Sequence, residues 1–304
     1  MIWKKLSLRR SAVLLTVVGA ALAMAVPATA AYGGQVVTKV SKADRASALS
    51  YWTPDRMRTL FETDEVAPAE TISKLWKGPL PTGVGRLFFT KVPGGDETCT
   101  ATVVPSRTKD VAFTAGHCVN GGLDPLDRPV KVINLVFVPG YDHAKTPYGI
   151  FPVRAFAWSK TYEGPSSRVD DDAVIALDPV GGKHVADVAG TQDISFDKVP
   201  SPANTTILGY PVSELARGQA LVSCVKPATL KVDSVQSFWE TNCDLAGGAS
   251  GGPWLRNFNP ATGNGTIFAV TSGGTTDENN VTLDVNSAAF TDAVRSLYQS
   301  AGEL

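Results

Sequence analysis

Ser250 stands in Gly248-Ala249-Ser250-Gly251-Gly252-Pro253, with glycine on both sides of a single hydroxyl. Glycine lets a chain turn tightly and lets its backbone approach another molecule, so this serine has the access a nucleophile needs. A serine hydroxyl is weakly nucleophilic until a neighbouring base takes its proton, and the attacked carbonyl needs N–H donors for its developing negative charge. The base must come from three histidines. His143 sits in the turn Gly140-Tyr141-Asp142-His143 and His184 follows Gly181-Gly182-Lys183, so both read as exposed loop residues. His117 stands in Thr114-Ala115-Gly116-His117-Cys118, at the end of the apolar run Val111 to Thr114. An acid that fixes an imidazole tautomer would complete the set, and Asp170-Asp171-Asp172 leads directly into Ala173 to Leu177. Three adjacent acids equally suit a solvated turn or a cluster of calcium ligands.

Positioning these groups calls for a rigid scaffold. Short β-rich runs cover Val84 to Thr90, Thr100 to Val104, Val111 to Thr114, Val130 to Val138, Phe151 to Ala157, Ala173 to Leu177, Thr206 to Tyr210, Ala220 to Cys224 and Thr266 to Thr271, separated by Gly, Pro, Asn and Asp. Without helical stretches between them, they predict an all-β sandwich or barrel rather than βαβ units. Phe290, Val294, Leu297 and Tyr298 recur at helical spacing and predict a C-terminal helix. Residues 31 to 80 differ in composition, with helix starts at Ser41 and at Thr53-Pro54-Asp55; they read as a leader or pro-segment, or as a surface arm.

The chain has 304 residues, 28 Lys+Arg and 29 Asp+Glu, and a net charge of −1, which argues against a nucleic-acid partner. Charged residues are 19% and hydrophobic ones 43%, with 28 Gly and 20 Pro: a turn-rich globular composition, and not that of a disordered chain, collagen or a coiled coil. Residues 1 to 30 hold Lys4, Lys5, Arg9 and Arg10, an apolar run from Ala12 to Val26, and Ala28-Thr29-Ala30, the pattern of a secretory signal peptide. A secreted, extracellular product without stable membrane association is expected, and its four cysteines, Cys99, Cys118, Cys224 and Cys243, are then disulfide candidates. Three pairings are possible, and local pairing of Cys99 with Cys118 and of Cys224 with Cys243 is the simplest. A zinc site is disfavoured because no C-x-x-C occurs, and no metal is expected.

The T-A-G-H-C, D-x-A-V-I and G-x-S-G-G-P blocks, in the order His, Asp, Ser, resemble the chymotrypsin-like (trypsin-like) serine peptidases, in particular their secreted bacterial members, over about residues 80 to 300. The resemblance implies two packed six-stranded antiparallel β-barrels with the catalytic groups between them, in residues 81–190 and 191–304, the second including the C-terminal helix. It implies His117 as general base, Ser250 as nucleophile, Asp171 as the acid with Asp172 as fallback, and the N–H groups of Gly248 and Ser250 as the oxyanion hole. It supports the bridge from Cys99 to Cys118 beside the histidine. The stretch Thr271, Ser272 and Gly273 is expected to pair with an extended protein or peptide substrate. Asp244, six before the nucleophile, is counted with the substrate-binding residues, but without the basic specificity that trypsins derive from that position, because the nearby cysteine frame is missing. Val270 stands where the glutamyl-specific branch uses histidine, which disfavours glutamyl specificity. Ala249 replaces the acid that binds a new N-terminus in the animal enzymes, so any latency is expected from residues 31 to 80. A monomer needing no cofactor is expected.

Two other readings compete. The serine block also fits the nucleophile elbow of α/β-hydrolase esterases, but those run Ser, acid, His, and no histidine follows Ser250. A catalytically silent binding module on the same scaffold is the rival of a different class.

Overall fold

The computed structural model describes residues 34–60, 66–245 and 247–304, so the expected signal peptide lies outside the described residues. In chain order the elements are β1 (Gln35–Lys39), α1 (Lys42–Tyr51), α2 (Pro54–Arg58), β2 (Lys74–Leu75), β3 (Val84–Val92), β4 (Gly95–Val103), β5 (Val111–Thr114), β6 (Lys131–Pro139), β7 (Phe151–Ser159) and β8 (Ala173–Leu177). Then follow α3 (Val185–Ala189), β9 (Asp193–Ile194), β10 (Ala203–Gly209), β11 (Val222–Val232), β12 (Ser237–Thr241), β13 (Pro253–Asn259), β14 (Asn264–Val270), β15 (Gly273–Thr276), β16 (Thr282–Ala288) and α4 (Asp292–Ser300).

All nine predicted runs are strands. In the first half, β5 and β8 are buried along their whole length, which is why they read as continuous apolar runs rather than alternating ones. Strands β3 to β8 close into a six-stranded antiparallel barrel, because β7 pairs with β8 as well as with β6. The second sheet runs β15-β16-β12-β11-β10-β13-β14-β9 and leaves β15 as an edge. Strands β12, β13 and β16 escape the sequence reading: β16 carries Asp284 and Asn286, and β13 starts at the proline of the serine block.

The C-terminal helix forms as predicted, two residues after Phe290, with the Thr291 hydroxyl capping the Val294 N–H at 3.3 Å and Val294 and Leu297 buried. Phe290 itself packs against Phe113 and Phe196.

Residues 34–60 are built into the first barrel. Strand β1 adds to β7, and Ser41 and Thr53 cap α1 and α2 as their sequence signals suggest. Trp52 (1% exposed) and Met57 (0%) enter the core; the Trp52 indole donates to the Asn134 carbonyl at 2.6 Å and meets the Phe88 ring. Arg56 pairs with Asp96 at 2.7 Å and lies over the Tyr51 ring.

Candidate active site

His117 occupies a single 3-10 turn, Gly116–Cys118, directly after β5. Cys118 is bridged to Cys99 of β4, and Cys224 of β11 to Cys243, the local pairing expected. Both sulfurs of the first bridge lie within 4.8 Å of a ring nitrogen of His117. Because they are bonded to each other they offer no thiolate to a metal.

The three acids separate sharply. Asp170 has φ 50°, and its carboxylate accepts the hydroxyls of Thr161 and, at 2.7 Å, Thr291, tying this bend to the start of α4. Asp171 meets the histidine: Oδ1 accepts the His117 backbone N–H at 2.8 Å, and Oδ2 lies 2.8 Å from Nδ1. Burial would raise the Asp171 carboxyl, but the facing imidazole and the hydrogen bonds from His117 and Ser272 hold it below the usual carboxylate range. Asp172 is 1% exposed, and neither carboxylate oxygen has a hydrogen-bond partner among the described residues. Burial, then the neighbouring Asp171 and Asp170, push its carboxyl well above the usual carboxylate range. Among the described residues the three carboxylates do not form a group that could hold one ion.

Ser272 donates to Asp171 Oδ2 at 2.6 Å. Sequence reasoning assigned this residue to substrate, and nothing local distinguishes a hydroxyl facing a cleft from one facing an acid 101 residues away. Thr271 also has a different task. Its N–H donates to the Gly252 carbonyl at 2.9 Å and its carbonyl accepts the Gly251 N–H at 2.7 Å, so its backbone holds the serine turn and is not free for a substrate strand. Gly273 begins the edge strand β15, whose other neighbour is β16, leaving one side of its main chain unpaired in the ladder.

Ser250 is anchored from the first barrel. Its carbonyl accepts the Thr100 N–H at 2.8 Å and lies 4.0 Å from Sγ of Cys118, next to His117. Gly251 has φ 77°, and a side chain there would press into the Thr114 hydroxyl and the Thr100 carbonyl. Gly248 has φ 86°, with the Tyr210 carbonyl 2.6 Å from where a Cβ would sit. The Gly247 carbonyl accepts the Val212 N–H at 2.8 Å, and in a trans peptide the Gly248 N–H then points the opposite way.

A cavity of about 250 Å³ opens beside Ser250, lined by Leu245, Gly247, Gly273, Thr276 and Asn280 among others, with no charged side chain among its described lining residues. A larger one of about 510 Å³, between Phe196, Trp239 and Phe290, contains none of these groups, so chemistry rather than volume selects the smaller. Asp244 is not brought to the cavity. It is 5% exposed and its carboxylate is taken by the N–H groups of Ile72 (2.6 Å) and Ser73 (2.7 Å), so it is unavailable as a substrate contact.

No family model matches the chain, and no curated protein matches it by sequence. Its fold matches solved structures. AL20, a thermostable serine protease from an extremophilic microorganism, is 26% identical, with a TM-score of 0.64 over 73% of this chain and 98% of that one. The protease Anisep from Arthrobacter nicotinovorans is 24% identical, with a TM-score of 0.64 over 76% and 100%. A Glu endopeptidase is 19% identical, with a TM-score of 0.57 over 79% and 100%. With its closed antiparallel barrel, its second β-sheet and its C-terminal helix, the chain has the chymotrypsin-like serine protease fold.

Proposed function

We propose that the chain is an exported serine endopeptidase in which Ser250 is the nucleophile, His117 the general base and Asp171 the orienting acid. The observation that carries this reading is the His117–Asp171 pair, 2.8 Å long, in a site where Ser272 and Thr271 link the acid to the serine turn. With Nδ1–H donated to a carboxylate held ionised, the neutral ring keeps its lone pair on Nε2, the nitrogen that must take the Ser250 proton. Oγ then attacks the scissile carbonyl, and the N–H groups of Gly248 and Ser250 receive the oxyanion. The imidazolium returns its proton to the leaving amine, and water hydrolyses the acyl-enzyme by the same route in reverse. These residues account for every proton transfer, so the reading calls for no metal or organic cofactor.

The exposed edge of β15, rather than Thr271, is the place for an extended peptide to add a strand, which selects for unfolded or loop segments of proteins. Export is supported by the two disulfides and by the N-terminal charge and hydrophobicity pattern. Among the described residues no helix is long and apolar enough to cross a membrane.

A serine-directed phosphonate tests the reading: it should label the parent at Ser250 and leave Ser250→Ala unlabelled, with peptide hydrolysis lost alongside. Failure of the parent to react while folded and disulfide-bonded would favour the silent binding module.

A further inference from the structure

Gly248 and Ser250 can receive an oxyanion only if their N–H groups are aimed, and one of them is a glycine. Gly248 has φ 86°, and because glycine visits other backbone conformations at little cost, its N–H keeps one direction only where the peptide planes on both sides of it are held from outside. The first plane is held by Val212, whose N–H donates to the Gly247 carbonyl at 2.8 Å. The second is held by a side chain. The Thr100 hydroxyl, on β4, donates to the Gly248 carbonyl at 3.0 Å. The same oxygen accepts the Tyr210 N–H at 3.0 Å, which leaves its single proton to point at Gly248.

Thr100 is joined to the rest of the site as well. Its N–H donates to the Ser250 carbonyl at 2.8 Å, and its own carbonyl accepts at 2.8 Å the hydroxyl of Thr114, the last residue of the strand that leads to His117. Between the two donors, the Ala249 carbonyl accepts the Gly252 N–H at 2.9 Å, so the Ser250 N–H of that peptide points the opposite way. Thr100 therefore grips the carbonyls of both residues whose N–H groups face the oxyanion. It is 0% exposed and follows Cys99 of the bridge to Cys118, so it acts on the reaction through those two residues and not by touching a substrate.

We propose that Thr100 is a positioning residue for the oxyanion site: its hydroxyl, by linking the Tyr210 N–H to the Gly248 carbonyl, fixes the second peptide plane of Gly248 and with it the direction of the Gly248 N–H. The inference rests on the peptidase reading. Donors aimed in advance need no reorganisation as charge develops on the attacked oxygen, and that charge exists only on the way to and in the tetrahedral intermediate. Loss of the aim therefore falls on turnover rather than on substrate binding.

The test compares Thr100→Val, which keeps the shape and removes the proton, with Thr100→Ser, which keeps the hydroxyl, each folded and with its disulfides intact. Thr100→Val should lower kcat by about tenfold to a hundredfold with KM little changed, somewhat less than the roughly 10²–10³ lost when an oxyanion donor is deleted outright. Thr100→Ser should recover most of that loss. A peptide boronate, which forms a tetrahedral adduct on the serine, should bind Thr100→Val more weakly by the same factor, whereas a peptide product should bind it as it binds the parent. Equal losses in the two variants would make Thr100 a packing residue and overturn the proposal, as would a loss carried by KM. Should Thr100→Val not fold, Thr100→Ala, which cannot overpack the site, takes its place in every comparison. A folded parent that is inert to the phosphonate overturns the peptidase reading and this proposal with it, whereas a reactive parent whose turnover survives loss of the hydroxyl overturns this proposal alone.

Discussion

Asp171 and Asp244 are both buried carboxylates close to the Ser250 turn, 3% and 5% exposed, and each is held by hydrogen bonds that offset its desolvation. They differ in where the donors come from. Asp171, at the entry to β8, is served by an imidazole, a backbone N–H and the Ser272 hydroxyl, fixed by the first barrel and the second sheet. Asp244, in the second half of the chain, is served by two amides of a strap whose upstream neighbours are exposed loop. The difference lies in what the donors can do: an imidazole can change its charge, whereas two backbone amides cannot and only fix the strap in place. Asp172, with no donor among the described residues, is the internal contrast: its carboxyl is pushed well up.

The largest break in this comparison is Asp171→Asn, which should lower turnover by roughly 10⁴ by favouring the wrong histidine tautomer while Asp172→Asn costs less than tenfold. Steady-state kinetics on the pair decide it, and the reverse ranking would shift the acid to Asp172. Next in size, Asp244→Ala leaves the Ile72 and Ser73 N–H groups without an acceptor and should cost about 2–6 kcal/mol in denaturant unfolding, at about 1–3 kcal/mol per orphaned group. A cost below about 0.5 kcal/mol would mean that the strap is not held there.

Asp172 sharpens the contrast through pH. Its folded carboxyl titrates above the ordinary 3.8, so the folded state gains from its protonation at low pH and loses that advantage as pH rises. Asp172→Asn should therefore become more stable than the parent by about 1.4 kcal/mol per pH unit above about pH 4, until the folded carboxyl itself ionises. Parallel stability curves for the two would refute a raised Asp172 carboxyl. The smallest effect expected is that of Ser272→Ala, which removes one charge-assisted bond to Asp171 and should lower kcat about tenfold with KM little changed. It should also bring the Asp171 carboxyl up toward the usual carboxylate range, because one of the interactions holding it down is gone, a shift that an NMR titration of that carboxyl would read.

Strands β3 to β8 and the blocks around His117, Asp171 and Ser250 are legible in the sequence because their causes are local: apolar runs bounded by turn residues, glycines at positive φ, and cysteines 19 residues apart in each bridge. The choice of Asp171 over Asp172 came only from the resemblance and not from the acids themselves, which read alike; the 2.8 Å contact with His117 Nδ1 is what sets Asp171 apart. Whether residues 31 to 80 join the core was equally open, because Trp52 and Met57 read the same in an arm as in a barrel until Phe88 and Asn134 are placed beside them. The partners of Asp244 lie 171 and 172 residues away and are backbone amides, which every residue type but proline carries. No pattern of side chains records such a contact, so tertiary structure alone decided that this acid faces the strap rather than the cleft.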